Sequence, residues 1–268
     1  MASFSVVSNI AAANAQANMT ATSVNLQRTI TRLSSGFRIN QAGDDAAGLA
    51  VANSYRNVQA IVSQGIRNAN DGLSTLQIKD GAMANIGSLL DRLATLATQS
   101  ASGSSSVNRT QLNAEFQDVL TEIDREANVA GLTAAAGFSV FVSNETVASN
   151  GKVAGTIGAA DKAALGLNAK TVDTVANAAS AVTAIATAVT TLGTAQGTIG
   201  TLENSLQFAI NLAQSQLVSN KAAESRIRDA NIAEESANLT RYSVLTQSGV
   251  AALAQANQQS SAVLGLLR

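Results

Sequence analysis

The 268-residue sequence is nearly neutral and rich in small apolar residues: hydrophobic residues make up 46%, aromatic residues 3%, and the formal net charge is −1. It contains no cysteine and no histidine, which excludes disulfides, thiol catalysis and most zinc sites, and its small net charge argues against a nucleic-acid partner. It also contains no proline, so no ring interrupts a long helix. We expect no membrane-spanning helix, because no continuous apolar run reaches the required length of about 18 residues.

The chain begins with a segment, residues 3–35, that is predicted to be one amphipathic helix. Met19, Leu26 and Leu33 recur every seven residues, and Ile30 lies on the same side. Ser34, Ser35 and Gly36 follow, and glycine after hydroxyl residues is typical of a helix end. The first five residues lack the basic and leucine-rich parts of a secretory signal peptide.

A connector is predicted over residues 37–44, where glycine, asparagine and glutamine are frequent. Asp44 and Asp45 stand where the next helix begins, and carboxylates there interact favourably with the helix dipole. Adjacent helical residues do not face each other, so a catalytic or metal-binding pair is the weaker interpretation. We expect helix capping or an ion pair with Arg32 or Arg38.

Two further helices are predicted over residues 45–100 and 109–129, joined by the polar turn SASGSSSVN. The segment 131–177 changes character, because Phe138, Val140 and Val142 alternate with other side chains as in a strand. Asn150 and Gly151 form the favoured two-residue hairpin turn. Helix resumes at residue 178.

The last helix carries apolar residues in two seven-residue registers. Ile232, Leu239, Leu253 and Leu267 share one register, and Tyr242 and Val263 share the other. Such a seam buries itself either within the chain or against another subunit, and the pattern alone leaves both possibilities open.

The predicted fold is therefore mainly α: a long antiparallel helical coiled-coil bundle with paired terminal helices and a small β-hairpin insert. Residues 1–36 and 230–268 form the terminal pair, residues 45–130 and 178–229 form the long-helix bundle, and residues 131–177 form the insert.

Several long motifs resemble bacterial flagellins. RLSSGFRINQAGDDAAGLAV (residues 32–51), IRNANDGLSTLQ (66–77) and EIDREAN (122–128) are similar to the N-terminal part of that family. SRIRDANIAEESANLTRYSVLTQSGVAALAQANQ (225–258) and the ending VLGLLR are similar to its C-terminal part. The resemblance covers about three quarters of the chain, at both ends and in the same order.

The resemblance implies a structural subunit that self-assembles into the helical flagellar filament for swimming, and not an enzyme or a protein with a cofactor. It implies an extracellular location, reached without a cleaved signal peptide or membrane insertion, and partners in identical subunits, the export machinery, a secretion chaperone, and cap and junction proteins. The paired ends then form the inner tube, where the packing residues named above contact neighbouring subunits. Only about 60 residues separate the matching ends, as expected of a short form with reduced or absent outer domains.

The resemblance leaves an alternative function open. A hook–filament junction protein or an adhesin can share flagellin ends without extending a filament.

In some flagellins an innate-immune receptor binds a surface on the second and third helices. Arg92, Leu96 and Glu115 match that surface, but Thr95 replaces the usual glutamate, which argues against recognition.

Overall fold

The computed structural model describes residues 9–103, 108–143 and 151–266, with side chains as far as residue 258. Its elements in chain order are α1 (Ile10–Ser35), α2 (Ala46–Ala101), α3 (Arg109–Val129), β1 (Ala136–Phe141), β2 (Lys152–Ile157), α4 (Val175–Arg228) and α5 (Ile232–Leu266). The mainly α fold with a small antiparallel hairpin is confirmed. Residues 3–8 of the predicted first helix, residues 104–107 of the predicted turn after α2, and Asn150 lie outside the described residues.

The chain divides into two compact units, one built from two stretches of sequence and the other from a single stretch. The terminal unit comprises residues 1–57 and 220–268, and the central unit comprises residues 58–219. The terminal unit is larger than the predicted terminal pair, because it also includes the connector, the start of α2 and the end of α4. Arg56 of α2 and Glu224 of α4, whose Nε and Oε1 atoms are 3.9 Å apart, contribute to this extension.

The core of the central unit is formed by one face each of α2, α3 and α4. Leu76, Met83 and Leu90 of α2, spaced by seven residues, are fully buried, as is Phe116 of α3. The buried face of α4 consists of alanine and larger aliphatic residues, from Ala178 to Ala213. Small residues allow close helix packing, which explains how a chain with 3% aromatic residues has a continuous core.

The hairpin packs on glycine positions of the helices in the central unit. β1 and β2 are antiparallel, with Val140 opposite Val153. A Cβ added at Gly65 of α2 would lie 1.9 Å from the carbonyl oxygen of Val142, and one added at Gly72 would lie 2.7 Å from Cγ2 of Val140. These two glycines, seven residues apart, let the strand approach α2 at backbone distance.

The segment between β2 and α4 is held against α3 by polar side chains. The amide group of Val172 donates to Oδ1 of Asn113 at 2.9 Å, and Gln117 donates to the carbonyl oxygen of Lys170 at 2.9 Å. Asp124 accepts from the amide of Lys162 at 3.0 Å and also pairs with its ammonium group. Residues 113, 117 and 124 share one face of α3, so a single helix face satisfies the backbone of this loop.

Candidate assembly surfaces of the terminal helices

Helices α1 and α5 pack against each other in antiparallel orientation within the terminal unit. Asn9 donates to the carbonyl oxygen of Ala256 at 2.9 Å, near the far end of the pair. At the near end, Nη1 of Arg32 lies 3.2 Å from Oε1 of Glu235, whose side chain is one of the few buried acidic groups in the described chain. Such a buried carboxylate is retained in a helix pair only with a charged partner.

The structure places most of the predicted packing residues along this pair. Met19 lies beside Gly249, where an added Cβ would be 3.7 Å from Cγ of Met19. Six of the predicted residues are half-buried: Met19, Leu26, Leu33, Leu239, Tyr242 and Leu253. Ile30 and Ile232 remain about half exposed. The side chain of Val263 and the whole of Leu267 lie outside the described part.

Further apolar side chains on both helices face solvent, and the sequence analysis missed them. The exposed fraction is 62% for Ile10 and 55% for Val244, and Val24, Leu245 and Val250 are also exposed. By helical periodicity Ile10 and Val24 lie on the side of α1 away from Met19 and Leu26. The sequence did contain a signal for this face, the fourteen-residue spacing from Ile10 to Val24. The stronger seven-residue register that begins at Met19 obscured it.

The exposed residues of α5 lie on more than one face. Val244 is roughly opposite the side that contacts α1, and Leu245 and Val250 lie on the two flanks. A helix that is apolar on several faces requires several partners, and α1 supplies only one of them. The remaining faces are the candidate assembly surfaces.

The connector begins with a left-handed glycine. Gly36 has φ 75° and donates its amide hydrogen to the carbonyl oxygen of Arg32 at 2.9 Å, which ends α1. The hydroxyl of Ser35 accepts from the amide of Phe37 at 3.1 Å, whereas Ser34 is simply exposed. The predicted helix end therefore coincides with the observed one.

The connector is bound to the junction between α4 and α5. The amide of Arg38 donates to the carbonyl oxygen of Arg228 at 2.6 Å, and the amide of Ala230 donates to that of Gly36 at 2.9 Å. The guanidinium of Arg228 stacks over the ring of Phe37, 4.1 Å from its centroid. The segment that joins α1 to α2 and the segment that joins α4 to α5 are therefore bonded to each other.

The two aspartates close the connector onto α2. Asp44 accepts hydrogen bonds from the amides of Asn40 and Gln41, and Asp45 accepts from the amide of Gly48 at 2.8 Å, as an N-cap does. Oδ2 of Asp45 also lies 3.6 Å from Nη2 of Arg38. Neither aspartate lies in a cluster suited to a metal, and the described residues contain no group of three potential metal ligands.

The predicted receptor surface is only partly exposed in the central unit. Arg92 and Glu115 form an exposed ion pair, with Nε 2.9 Å from Oε1. The Leu96 side chain is only 1% exposed and belongs to the core. A partner binding here therefore meets the ion pair and not Leu96.

Comparison with known proteins decides the family. The profile of the bacterial flagellin N-terminal helical region matches residues 6–141, and that of the C-terminal helical region matches residues 182–267. The chain belongs to the flagellin family. The two matches leave only a short middle segment unassigned, which is consistent with a short flagellin.

The curated relatives match along nearly their whole length. The chain is 36% identical over 271 residues to the flagellin of Halalkalibacterium halodurans, covering 97% of this chain and 98% of that protein. It is 31% identical over 284 residues to flagellin FlaB1 of Treponema pallidum, with the same coverage. Among solved structures, a Bacillus cereus flagellin crystal structure matches 55% of this chain and 88% of its own, at 25% identity and a TM-score of 0.48.

This flagellin is thus a structural subunit of the flagellar filament, an extracellular polymer of identical copies. The relatives support this function and not the junction-protein or adhesin alternative. The flagellins form a structural protein family and not an enzyme family.

The sequence analysis predicted no membrane-spanning helix, and one helix does not follow that prediction by length and composition. Helix α4 is long and apolar enough, by length and composition, to cross a membrane, although no continuous apolar run exists. The reason is that residues 174–202 contain no charged side chain, while alanine and valine are frequent. Ala178, Ile185 and Leu192 of this stretch are buried in the central core, and 28% of its most apolar window is buried.

Proposed function

We propose that this flagellin polymerises through the outer faces of α1 and α5, which line the inner tube of the filament. The single observation that carries the proposal is the exposure of large apolar residues on faces of both helices that have no partner in the described part of the chain. Burying apolar surface contributes about 25 cal/mol per Å², so many small contacts add up along a polymer. Contacts between different faces of identical copies generate an open helix when the rotation from one copy to the next does not close a ring.

The predicted packing residues divide into two roles in this proposal. Met19, Leu26, Leu33, Leu239, Tyr242 and Leu253 hold α1 to α5 and offer their remaining exposed surface to neighbours. Ile30 and Ile232, together with Val244 and Val250, contact other subunits. We assign Val263 and Leu267 to the same intersubunit surface from their register alone.

The rest of the chain then takes the places that the family implies. The long helices of the central unit form the bundle domain, and the hairpin with its following loop forms the surface insert. The connector, from Gly36 to Asp45, responds to packing changes of the terminal unit, since it is bonded to both the start of α2 and the α4–α5 junction. Helix α4 stays in the bundle and does not insert into a membrane.

Secretion and assembly factors belong to the proposal as well. Flagellin family membership supports export by the flagellar machinery without a cleaved signal peptide, with a secretion chaperone, a filament cap and junction proteins as partners. The chain acts as a polymer, without catalysis and without a cofactor. Burial of Leu96 and the presence of Thr95 argue against recognition by the innate-immune receptor.

Seeded elongation tests the proposal against the alternative. Purified monomer added to sheared filament fragments is expected to lengthen them steadily, as measured by electron microscopy over time. A junction protein or an adhesin would bind the fragment ends and stop. Fragments that remain at their initial length would contradict the proposed function.

A further inference from the structure

Two unpaired opposite charges lie on the terminal helices, one on the outer face of α1 and one on a flank of α5. Arg28 of α1 and Glu234 of α5 are both exposed, and neither has a hydrogen-bond or ion-pair partner in the described part of the chain. The other carboxylates in the described part of the terminal unit are engaged: Asp44, Asp45, Glu224, Asp229 and Glu235. Glu234 is therefore the carboxylate that this unit leaves available.

Arg28 shares its face of α1 with the exposed apolar residues. Val24 precedes it by one turn and Ile10 by five turns, so the three lie on one side of the helix. Arg28 and Val24 also line a groove between α1 and the connector, whose other wall includes Asn40, Gln41 and Asp44. The carboxylate of Asp44 is already occupied by two backbone amides, so it leaves Arg28 without a counter-charge.

Glu234 shares its face of α5 with Leu245. Eleven residues separate them, which is three helical turns, and Leu245 is 46% exposed. Glu234 lies in the first turn of α5, where the helix dipole favours a carboxylate. Arg241 lies seven residues further along the same face, two turns away and too distant for the (i, i+4) pairing of helices.

We propose that Arg28 of one subunit pairs with Glu234 of a neighbouring subunit, so that the outer face of α1 packs antiparallel on the flank of α5 that carries Leu245. The pairing rests on the proposed function, since it requires polymerisation through the terminal helices. Subunits with one axial orientation present α1 and α5 antiparallel to each other, as they are within the chain. Starting from the charge pair, eleven residues along each helix bring Ala17 of α1 opposite Leu245 of α5, about 16 Å away. A small residue thus faces a large one.

The ion pair sets register and specificity more than affinity. An exposed pair contributes little to binding by itself, but two like charges brought together at the same position are strongly unfavourable. The contact is heterologous, because each subunit offers Arg28 to one neighbour and Glu234 to another. This asymmetry makes a complementation experiment possible.

The experiment compares seeded elongation by wild type, Arg28→Glu, Glu234→Arg, the double variant and an equimolar mixture of the two single variants. Each single variant alone is expected to elongate at least about tenfold more slowly than wild type, since like charges then meet at every contact. The double variant restores opposite charges, and its rate is expected to return to within about threefold of wild type. The mixture is expected to recover similarly, because alternating subunits are complementary at both of their contacts.

The mixture separates an intersubunit pair from a pair inside one chain. If the double variant recovers and the mixture does not, the pair is intramolecular and the inference is wrong. If wild type elongates and both single variants do so at its rate, the inference is wrong while the proposed function stands. If wild type itself fails to elongate, the proposed function fails.

Neutral variants guard against misfolding as a cause of the loss. Arg28→Gln removes the charge and leaves a polar side chain, and Glu234→Gln keeps the size of the side chain and avoids a cation at the start of α5. They are expected to elongate at intermediate rates, with normal helix content by circular dichroism. Raising the salt concentration should speed elongation by the charge-reversed single variants, because screening weakens like-charge repulsion. Rates that do not respond to salt would contradict the inference.

Discussion

Gly65→Ala is expected to destabilise the central unit by about 2 kcal/mol, which lowers the unfolding temperature of the monomer by about 6 °C. The added Cβ would lie 1.9 Å from the carbonyl oxygen of Val142, and a backbone atom cannot move aside as a flexible side chain can. Either α2 or β1 must shift, at an overpacking cost of about 3 kcal/mol, partly offset by the better helix propensity of alanine. Thermal unfolding followed by circular dichroism measures the effect.

Gly81→Ala is the matched control. Gly81 is in the same helix, is exposed, and has no atom within 4 Å of an added Cβ among the described residues. The same substitution there is expected to stabilise the chain by about 0.8 kcal/mol through helix propensity alone. Equal unfolding temperatures for the two variants would contradict the close approach of the hairpin to α2.

Deleting residues 255–268 is expected to lower the rate of seeded elongation by at least about tenfold. The deletion removes Ala256, whose carbonyl oxygen holds Asn9, and the apolar ending of the chain. It shortens the α1–α5 pair at the end farthest from the connector and removes apolar surface that the assembly buries. Elongation is measured by fluorescence microscopy of seeds and new growth that carry different dyes.

The thermal unfolding of the truncated monomer serves as the control for this deletion. The central unit contains none of the deleted residues, so its unfolding temperature should match that of the full chain. A truncated chain that lengthens seeds at the wild-type rate would refute the role of the terminal helix in assembly.

Periodic patterns made most of the fold predictable from sequence. The seven-residue spacing of Leu76, Met83 and Leu90 identified the buried side of α2, because the period of an α-helix is local. The alternation of Phe138, Val140 and Val142 identified the first strand for the same reason. Gly36 marked the end of α1, because the residue that ends a helix often adopts the left-handed conformation, which glycine adopts most easily.

Contacts between distant residues were not predictable in the same way. The bonds from Asn113 and Gln117 to the loop after β2 join segments more than fifty residues apart, and no spacing encodes them. The pairing of Arg32 with Glu235 instead of a connector aspartate is of the same kind, with 203 residues between the partners. The way in which the helices pack together selects these partners, and the local sequence does not encode that packing.

The assembly surface was predicted only in part, for a different reason. The sequence indicated one apolar register on α1 and two on α5, and many of these residues are used inside the chain to join the two helices. The faces left for neighbours carry Ile10, Val24 and Val244, which are scattered among alanine and polar residues. A helix that serves several partners has a weak amphipathic pattern, so its second surface becomes visible only once the first is occupied.

Thiol labelling of a Val244→Cys variant tests the central claim most directly, because the chain contains no other cysteine. The side chain is 55% exposed in the single chain, so the monomer should react quickly with a maleimide. In filaments the account predicts that labelling slows by at least about tenfold, since neighbouring subunits bury this face of α5. A Thr156→Cys variant, on the exposed side of β2, should react equally fast in both states. Unchanged labelling of Val244→Cys on assembly would contradict polymerisation through the outer face of α5.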